Sequence, residues 1–295
     1  MKCELCPRRC YAERDNTIGY CGGGSEIKIA RAALHFWEEP CISGKNGSGT
    51  IFFSGCPLKC VYCQNHEISN GNYGTAVTVE RLGDIMLELR DKGAHNINLV
   101  SPTQYVPWII RALDRVKHRL NIPVVYNTGG YENPETIRSL DGYVDIYLPD
   151  IKYYSGEHSL KYSGAADYFD TAVTAVSEML SQTGKYEFAG DMLRRGVMIR
   201  HMVLPGLRRD SIEIMKQIKN NFGGEVLLSL MCQYTPNGKT GDILNRRVTT
   251  FEYNSVVDTA VSLGLEGYTQ DREAAGNGYV PDFNLEGVVN NGNIL

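Results

Sequence analysis

Three cysteines stand close together in the run Gly55-Cys56-Pro57-Leu58-Lys59-Cys60-Val61-Tyr62-Cys63, a C-x3-C-x2-C spacing. Three thiolates on one loop can hold a metal cluster. An iron-sulfur cube that only carries electrons takes four Cys, so a loop with three leaves one iron open to a substrate or cofactor. An open position is the coordination logic of a catalytic metal site. Gly55 permits a sharp exit from Ile51-Phe52-Phe53, and Pro57 keeps the chain from running on as strand or helix. A second group, Cys3, Cys6, Cys10 and Cys21, supplies four thiols and is followed by Gly22-Gly23-Gly24. Such a closed four-Cys set suits either a structural zinc or an auxiliary iron-sulfur cluster, and the spacing does not separate the two. Cys41 and Cys232 stand outside both groups and read as packed thiols.

The elements that must position these thiols follow from Thr50 onward, where apolar strands and amphipathic helices alternate as in a parallel sheet with crossover helices. Strands are expected at Thr50 to Ser54, Asn96 to Val100, Pro123 to Tyr126, Val144 to Leu148, Gly196 to Leu204 and Val226 to Met231. Helices are expected after Thr78, at Trp108 to Leu120, Pro134 to Leu140, Asp167 to Thr183, Ser211 to Phe222 and Thr250 to Leu263. Chemistry in such folds gathers at the C-terminal ends of the strands, and these ends are polar. They carry Ser101-Pro102-Thr103, Asn127-Thr128-Gly129-Gly130, Asp150-Ile151-Lys152 and Cys232-Gln233-Tyr234. In the fifth strand, period-two alternation sends Arg200 and Met202 to one face and His201 to the other, where it reads as structural.

The length of 295 residues suits one large α/β domain with a small appendage. Hydrophobic content of 42% and charged content of 22% argue against disorder. A net charge of −4 argues against a dominant phosphate-binding face, so nucleic acid is not an expected partner. The N-terminus lacks an apolar signal-peptide core and no run is long enough to span a bilayer, which points to a cytoplasmic protein without membrane contact. There, nine cysteines favour metal ligation over disulfides.

The three-Cys spacing with Tyr62 directly before Cys63 resembles the signature of the radical S-adenosylmethionine (radical SAM) superfamily. Phe52-Phe53-Ser54-Gly55 before it and Gln64-Asn65 after it resemble the activase branch, typified by pyruvate formate-lyase activating enzyme. Glu38-Glu39-Pro40, Ser43-Gly44, Asn98-Leu99-Val100 and Asp145 to Asp150 resemble an activase-like group within it. The resemblance implies a partial (β/α)6 barrel over residues 48–265, with a Cys-rich metal-binding cap at 1–47 and a tail at 266–295 packing on the barrel. It implies that Cys56, Cys60 and Cys63 hold a 4Fe-4S cluster whose open iron chelates S-adenosylmethionine. Reduction by a flavodoxin- or ferredoxin-like donor would then generate a 5′-deoxyadenosyl radical that takes hydrogen from a substrate.

Residue by residue, Ser101 and Thr103 stand where the family usually has Gly-Gly-Glu to receive the amino group of S-adenosylmethionine. Asn127 and Thr128 match the segment that meets the ribose. Asp150 and Thr128 match a monovalent-cation site, weakened by Asn127 in place of the usual Asp. Lys152 matches the partner of the cofactor's carboxylate, and Arg200 and Met202 face the adenosyl group. The substrate reading is a glycyl radical protein first, with radical modification or epimerisation of a small molecule or peptide as the alternative. A reading from another class is a non-enzymatic iron-sulfur or zinc protein, against which the polar strand ends argue. The aromatics of Tyr279-Val280-Pro281-Asp282-Phe283 either meet a partner or pack on the barrel, packing being favoured.

Overall fold

The computed structural model describes residues 2–238, 240, 243–270 and 281–289. In chain order the first half comprises β1 (Ile27–His35), α1 (Pro40–Ser43), β2 (Ser48–Phe53), α2 (His66–Ser69), β3 (Thr75–Val77), α3 (Val79–Asp91), β4 (Ile97–Val100), α4 (Val106–Leu120) and β5 (Val124–Thr128). The second half comprises α5 (Pro134–Arg138), β6 (Ile146–Pro149), α6 (Gly156–Ser163), α7 (Tyr168–Thr183), β7 (Glu187–Ala189), β8 (Met192–Met202), α8 (Arg208–Phe222), β9 (Leu227–Met231), α9 (Thr250–Ser262) and β10 (Gly267–Thr269). Local signals set several boundaries. The Thr78 hydroxyl accepts from the Arg81 amide and starts α3, Asn121 ends α4 in a left-handed turn, and Thr249 with Glu252 forms a capping box on α9.

The sheet runs β10-β9-β8-β6-β5-β4-β2-β1-β3 and does not close. Its neighbours from β2 through β9 and on to β10 are all parallel, giving the expected partial barrel. Period-two alternation separates two faces. Ile51, Leu99, Tyr126, Tyr147, Ile199 and Leu228 pack outward against the helices. Val125, Ile146, Met198 and Leu227 turn inward.

The structure amends three expectations. The boundary at residue 47 falls inside an antiparallel pair, because β1 lies beside β2 with Ala33 opposite Thr50 and joins the main sheet. Ile27, Ile29 and Ala32 of β1 are buried in the outer core, so this stretch is barrel wall and not cap. The Tyr- and Ser-rich segment after β6, where no helix was expected, contains α6, which Ser155 caps through the Glu157 amide. The segment from 266 contributes β10, parallel to β9, with Tyr268 opposite Ser229. Further along, Leu285 donates to the Ala30 carbonyl, Glu286 accepts from Ala32, and Phe283 packs edge-on against Phe52 at 5.5 Å. Tyr279 and Val280 lie outside the described residues.

One feature was not expected. The chain leaving β1 turns into the barrel, where Cys41 and Ile42 of α1 pack among Val125, Ile146, Leu148, Met198 and Leu227. This plug fills the lower lumen, and the Asn96 amide holds it by donating to the Ile42 carbonyl at 2.7 Å. Among the described residues no helix is long and apolar enough to cross a membrane.

Candidate cluster and cofactor site

Above the plug the barrel opens into a cavity of about 230 Å³. Cys56, Cys60 and Cys63 form one side, and the ends of β4, β5, β6 and β8 form the other. Of the residues expected in the radical SAM site, Tyr62, Ser101, Asn127, Thr128, Asp150, Lys152, Arg200 and Met202 also line it. Thr103 does not. It sits behind the wall, where its hydroxyl donates to Glu132 at 2.6 Å.

The Cys loop bends at Gly55, whose φ of 88° is left-handed and whose missing Cβ would lie 2.4 Å from the Cys21 carbonyl oxygen. Burial first, and then the neighbouring Cys60 and Cys63, push the Cys56 thiol up to about 12. Cys63 is raised for the same reasons. Cys56 and Cys63, raised by burial and by the sulfurs beside them, need positive charge nearby to become ligands together, and bound metal supplies it. The donor set therefore fits an iron-sulfur cluster. The Leu58 amide donates to Cys56 Sγ at 3.4 Å and the Ser163 hydroxyl to Cys60 Sγ at 2.9 Å, so donors already face two of the three sulfurs. Tyr62 is pinned by the Tyr153 hydroxyl at 2.7 Å.

Opposite the loop, Asp150 accepts from Lys152 Nζ at 2.5 Å and from Arg200 Nε at 3.1 Å. Burial opposes ionisation of Asp150, but these two cations prevail and hold its carboxyl below the usual range. Arg200 further donates to Asn127 Oδ1 at 2.6 Å and to Glu38 Oε2 at 3.2 Å. Thr128 donates to Glu132. The two residues expected to ligate a monovalent cation thus face other partners. Ser101 adopts a left-handed φ of 55°, and its carbonyl accepts from Gln104 Nε2 at 2.9 Å.

Sequence reasoning missed Glu132 and assigned Glu38 no role. Glu132 is fully buried, and burial pushes it up to about 7 against the hydroxyls of Thr103, Thr128 and Tyr126. It fixes both threonine hydroxyls as donors toward itself, which leaves their oxygen lone pairs for other ligands. Glu38 reaches the cavity floor from the plug and takes Asn98 Nδ2 at 3.0 Å as well as Arg200. His201 points away from the cavity, bonded to the Ile151 carbonyl at 2.6 Å and Ser211 at 2.9 Å. Cys232 is buried, with its amide on Gln270, and does not line the cavity.

The N-terminal thiols form a separate group. Cys3, Cys6 and Cys21 are buried and none of the four pairs in a disulfide. Burial raises Cys6 to about 12, with Cys21 and Cys3 adding to the rise. Among the described residues, no set of three or more His, Cys, Asp or Glu forms a ready single-ion site. The unit is clamped to the barrel: Arg8 Nε donates to the Pro57 carbonyl at 2.9 Å, and the Cys56 amide donates to the Cys21 carbonyl at 3.0 Å. Asn133 and Thr136 hold the carbonyls of Glu4 and Leu5 at 2.6 and 2.8 Å.

Comparison with known proteins gives a consistent picture. A family model described as the radical SAM superfamily matches residues 50–218. An uncharacterized protein of Methanocaldococcus jannaschii is 30% identical over 276 residues, covering 90% of this chain and 75% of the relative. A radical SAM methyltransferase from Sphaerobacter thermophilus superposes with a TM-score of 0.52 at 12% identity, over 76% of this chain and 66% of that one. Streptococcus suis SuiB bound to S-adenosylmethionine gives 0.51 at 15% identity, over 73% of this chain and 48% of SuiB. At these identities the two structures share the fold with this chain. The N-terminal thiols and the plug lie outside the matched segment.

Proposed function

The chain belongs to the radical SAM superfamily, and from that premise we propose an enzyme that cleaves S-adenosylmethionine at a 4Fe-4S cluster on Cys56, Cys60 and Cys63 and takes hydrogen from a substrate in the same cavity. One observation carries this reading: the three-Cys loop and the polar ends of four strands face a single cavity. Cluster and S-adenosylmethionine, when bound, supply reductive carbon-sulfur cleavage and hydrogen abstraction. The chain's own residues bind and orient. Lys152 and Arg200 present positive charge to a carboxylate, Ser101, Asn127 and Thr128 offer hydrogen bonds, and Tyr62 and Met202 exclude water beside the reacting centre. The electron comes from a low-potential flavodoxin- or ferredoxin-like donor.

Two substrate classes enter this frame, a glycine loop of a glycyl radical protein and a small molecule or peptide. The charged cavity floor favours the second, because a glycine methylene offers nothing to Glu38 and Arg200. Anaerobically reconstituted protein with dithionite is expected to release 5′-deoxyadenosine and methionine. No release, together with a reduced-cluster spectrum unmoved by S-adenosylmethionine, would instead support a non-enzymatic iron-sulfur or zinc protein. Deuterium passing from a labelled small molecule or peptide into 5′-deoxyadenosine supports the favoured class. A glycyl radical signal on an added glycyl radical enzyme supports the other.

For Cys3, Cys6, Cys10 and Cys21 we propose a second metal site, either an auxiliary 4Fe-4S cluster or zinc. Iron of about eight per chain after reconstitution indicates two cubes, and about four with about one zinc indicates a structural knuckle. Iron of about four and no zinc refutes the second site.

A further inference from the structure

The last turn of α6 ends against the cysteine loop. Ser163, the final residue of that helix, is buried, and its hydroxyl donates to Cys60 Sγ at 2.9 Å. A serine hydroxyl has one proton to give, so at its other contact, 2.9 Å from the Tyr153 hydroxyl, Ser163 accepts. Tyr153 in turn stands 2.7 Å from the hydroxyl of Tyr62, a residue of the cavity wall. A chain of buried hydroxyls thus leads from the cavity wall to a ligand sulfur, and each member polarises the next.

Ser163 is also held through its backbone. The helix closes at Gly164 in a left-handed turn, and carbonyls of such a last turn need donors from elsewhere. The Arg8 guanidinium supplies them, donating to the Ser163 carbonyl at 2.6 Å and to that of Gly164. Its Nε donates at the same time to the carbonyl of Pro57, the residue after Cys56. One side chain therefore ties the helix end that carries Ser163 to the loop that carries Cys60. Arg8 stands between Cys6 and Cys10, so this brace comes from the N-terminal unit. The rings of Tyr20 and Tyr131, 4.6 and 5.2 Å from the guanidinium, steady it further.

We propose that Ser163 is a positioning residue for the cluster, whose hydroxyl on Cys60 Sγ raises the cluster's reduction potential, and that Arg8 keeps it in place. This role rests on the radical SAM reading of the cysteine loop and adds how the chain adjusts the metal held there. Hydrogen bonds to the sulfurs are among the factors that set the potential of an iron-sulfur cluster. The reduced cube carries one more negative charge, and a bond donated to a ligand sulfur strengthens with that charge. Ser163 therefore favours the reduced state and eases uptake of the single electron from the low-potential donor.

The test uses full-length protein reconstituted anaerobically, with the reduced cluster counted by electron paramagnetic resonance at a poise where half of the unsubstituted cluster is reduced. Ser163→Ala is expected to lower the ratio of reduced to oxidised cluster about 3- to 10-fold, which is ~30–60 mV for one electron. Ser163→Thr keeps a hydroxyl and should stay within about 2-fold of the unsubstituted protein, a rescue that packing alone would not give. Arg8→Met should shift the ratio in the same direction as Ser163→Ala and add little in the double variant, because both act through one bond. If Ser163→Ala takes up no iron, Tyr153→Phe carries the test, with a smaller fall expected because it removes the hydroxyl behind Ser163. An unchanged ratio in Ser163→Ala, or in Tyr153→Phe where that variant stands in, overturns the role of Ser163, and so does an equal fall in Ser163→Thr. A full further shift from Arg8→Met in the Ser163→Ala background overturns the brace. Absence of any reducible cluster in the unsubstituted protein overturns the radical SAM reading beneath both, and the failures are thereby told apart.

Discussion

Cys60→Ala protein is expected to release no 5′-deoxyadenosine above background under conditions where the unsubstituted enzyme turns over, and to retain less iron after reconstitution. Cys60 is the middle of the three thiols and is buried at 7% exposure. Its carbonyl accepts the Cys63 amide at 3.1 Å, so backbone geometry ties the two ligands together. Alanine keeps that backbone bond and removes only the sulfur, which confines the loss to ligation. With two thiols left, the cube lacks the protein ligand set that holds it. Among the described residues no fourth cysteine lines the cavity to replace it. Undiminished product formation by this variant would refute the cluster assignment. Retained secondary structure by circular dichroism separates lost chemistry from lost fold.

Arg200→Met is expected to destabilise the protein by about 3–5 kcal/mol, the cost of stranding buried charge by removing one partner. Methionine fills much of the volume but leaves Asp150, Glu38 and Glu39 with Lys152 as the remaining nearby cation. Adding Glu38→Gln should recover part of the loss, since one of the stranded charges is then gone. Urea denaturation of the single and double variants measures both effects. A loss below about 1 kcal/mol, typical of an exposed ion pair, would mean that Arg200 is not holding a buried network.

Much of this was legible along the chain because it depends on local period. Six of the seven parallel strands, β2, β4, β5, β6, β8 and β9, announced themselves as short apolar runs between helical patterns, and alternation correctly put Arg200 on the cavity face and His201 off it. The Cys-x3-Cys-x2-Cys loop is likewise a local signal. What escaped depends on distance in sequence. Glu38 meets Arg200 across 162 positions, and Glu132 meets Thr103 across 29. β1 escaped for a different reason, since its two faces both bury residues and Ala30, Ala32 and Ala33 blur the alternation that marks a half-exposed strand. The family resemblance marked Asp150 and Lys152 as cofactor-side groups, and the fold places them as a direct ion pair in the cavity wall.

The plug separates two properties that a barrel ordinarily combines. Strand residues fix the shape of the wall, but the depth of the cavity is set by Trp37 to Gly44, a connection that contributes no strand to the parallel core. Such a connection can change in length and sequence with little disturbance to strand register. Related chains could therefore process substrates of different size by exchanging this one segment, and an engineer seeking altered selectivity would begin there. The same arrangement makes the barrel unsuitable for dissection: a fragment starting at residue 48 would be left with an empty lumen lined by Val125, Ile146, Met198 and Leu227, and should aggregate when expressed alone.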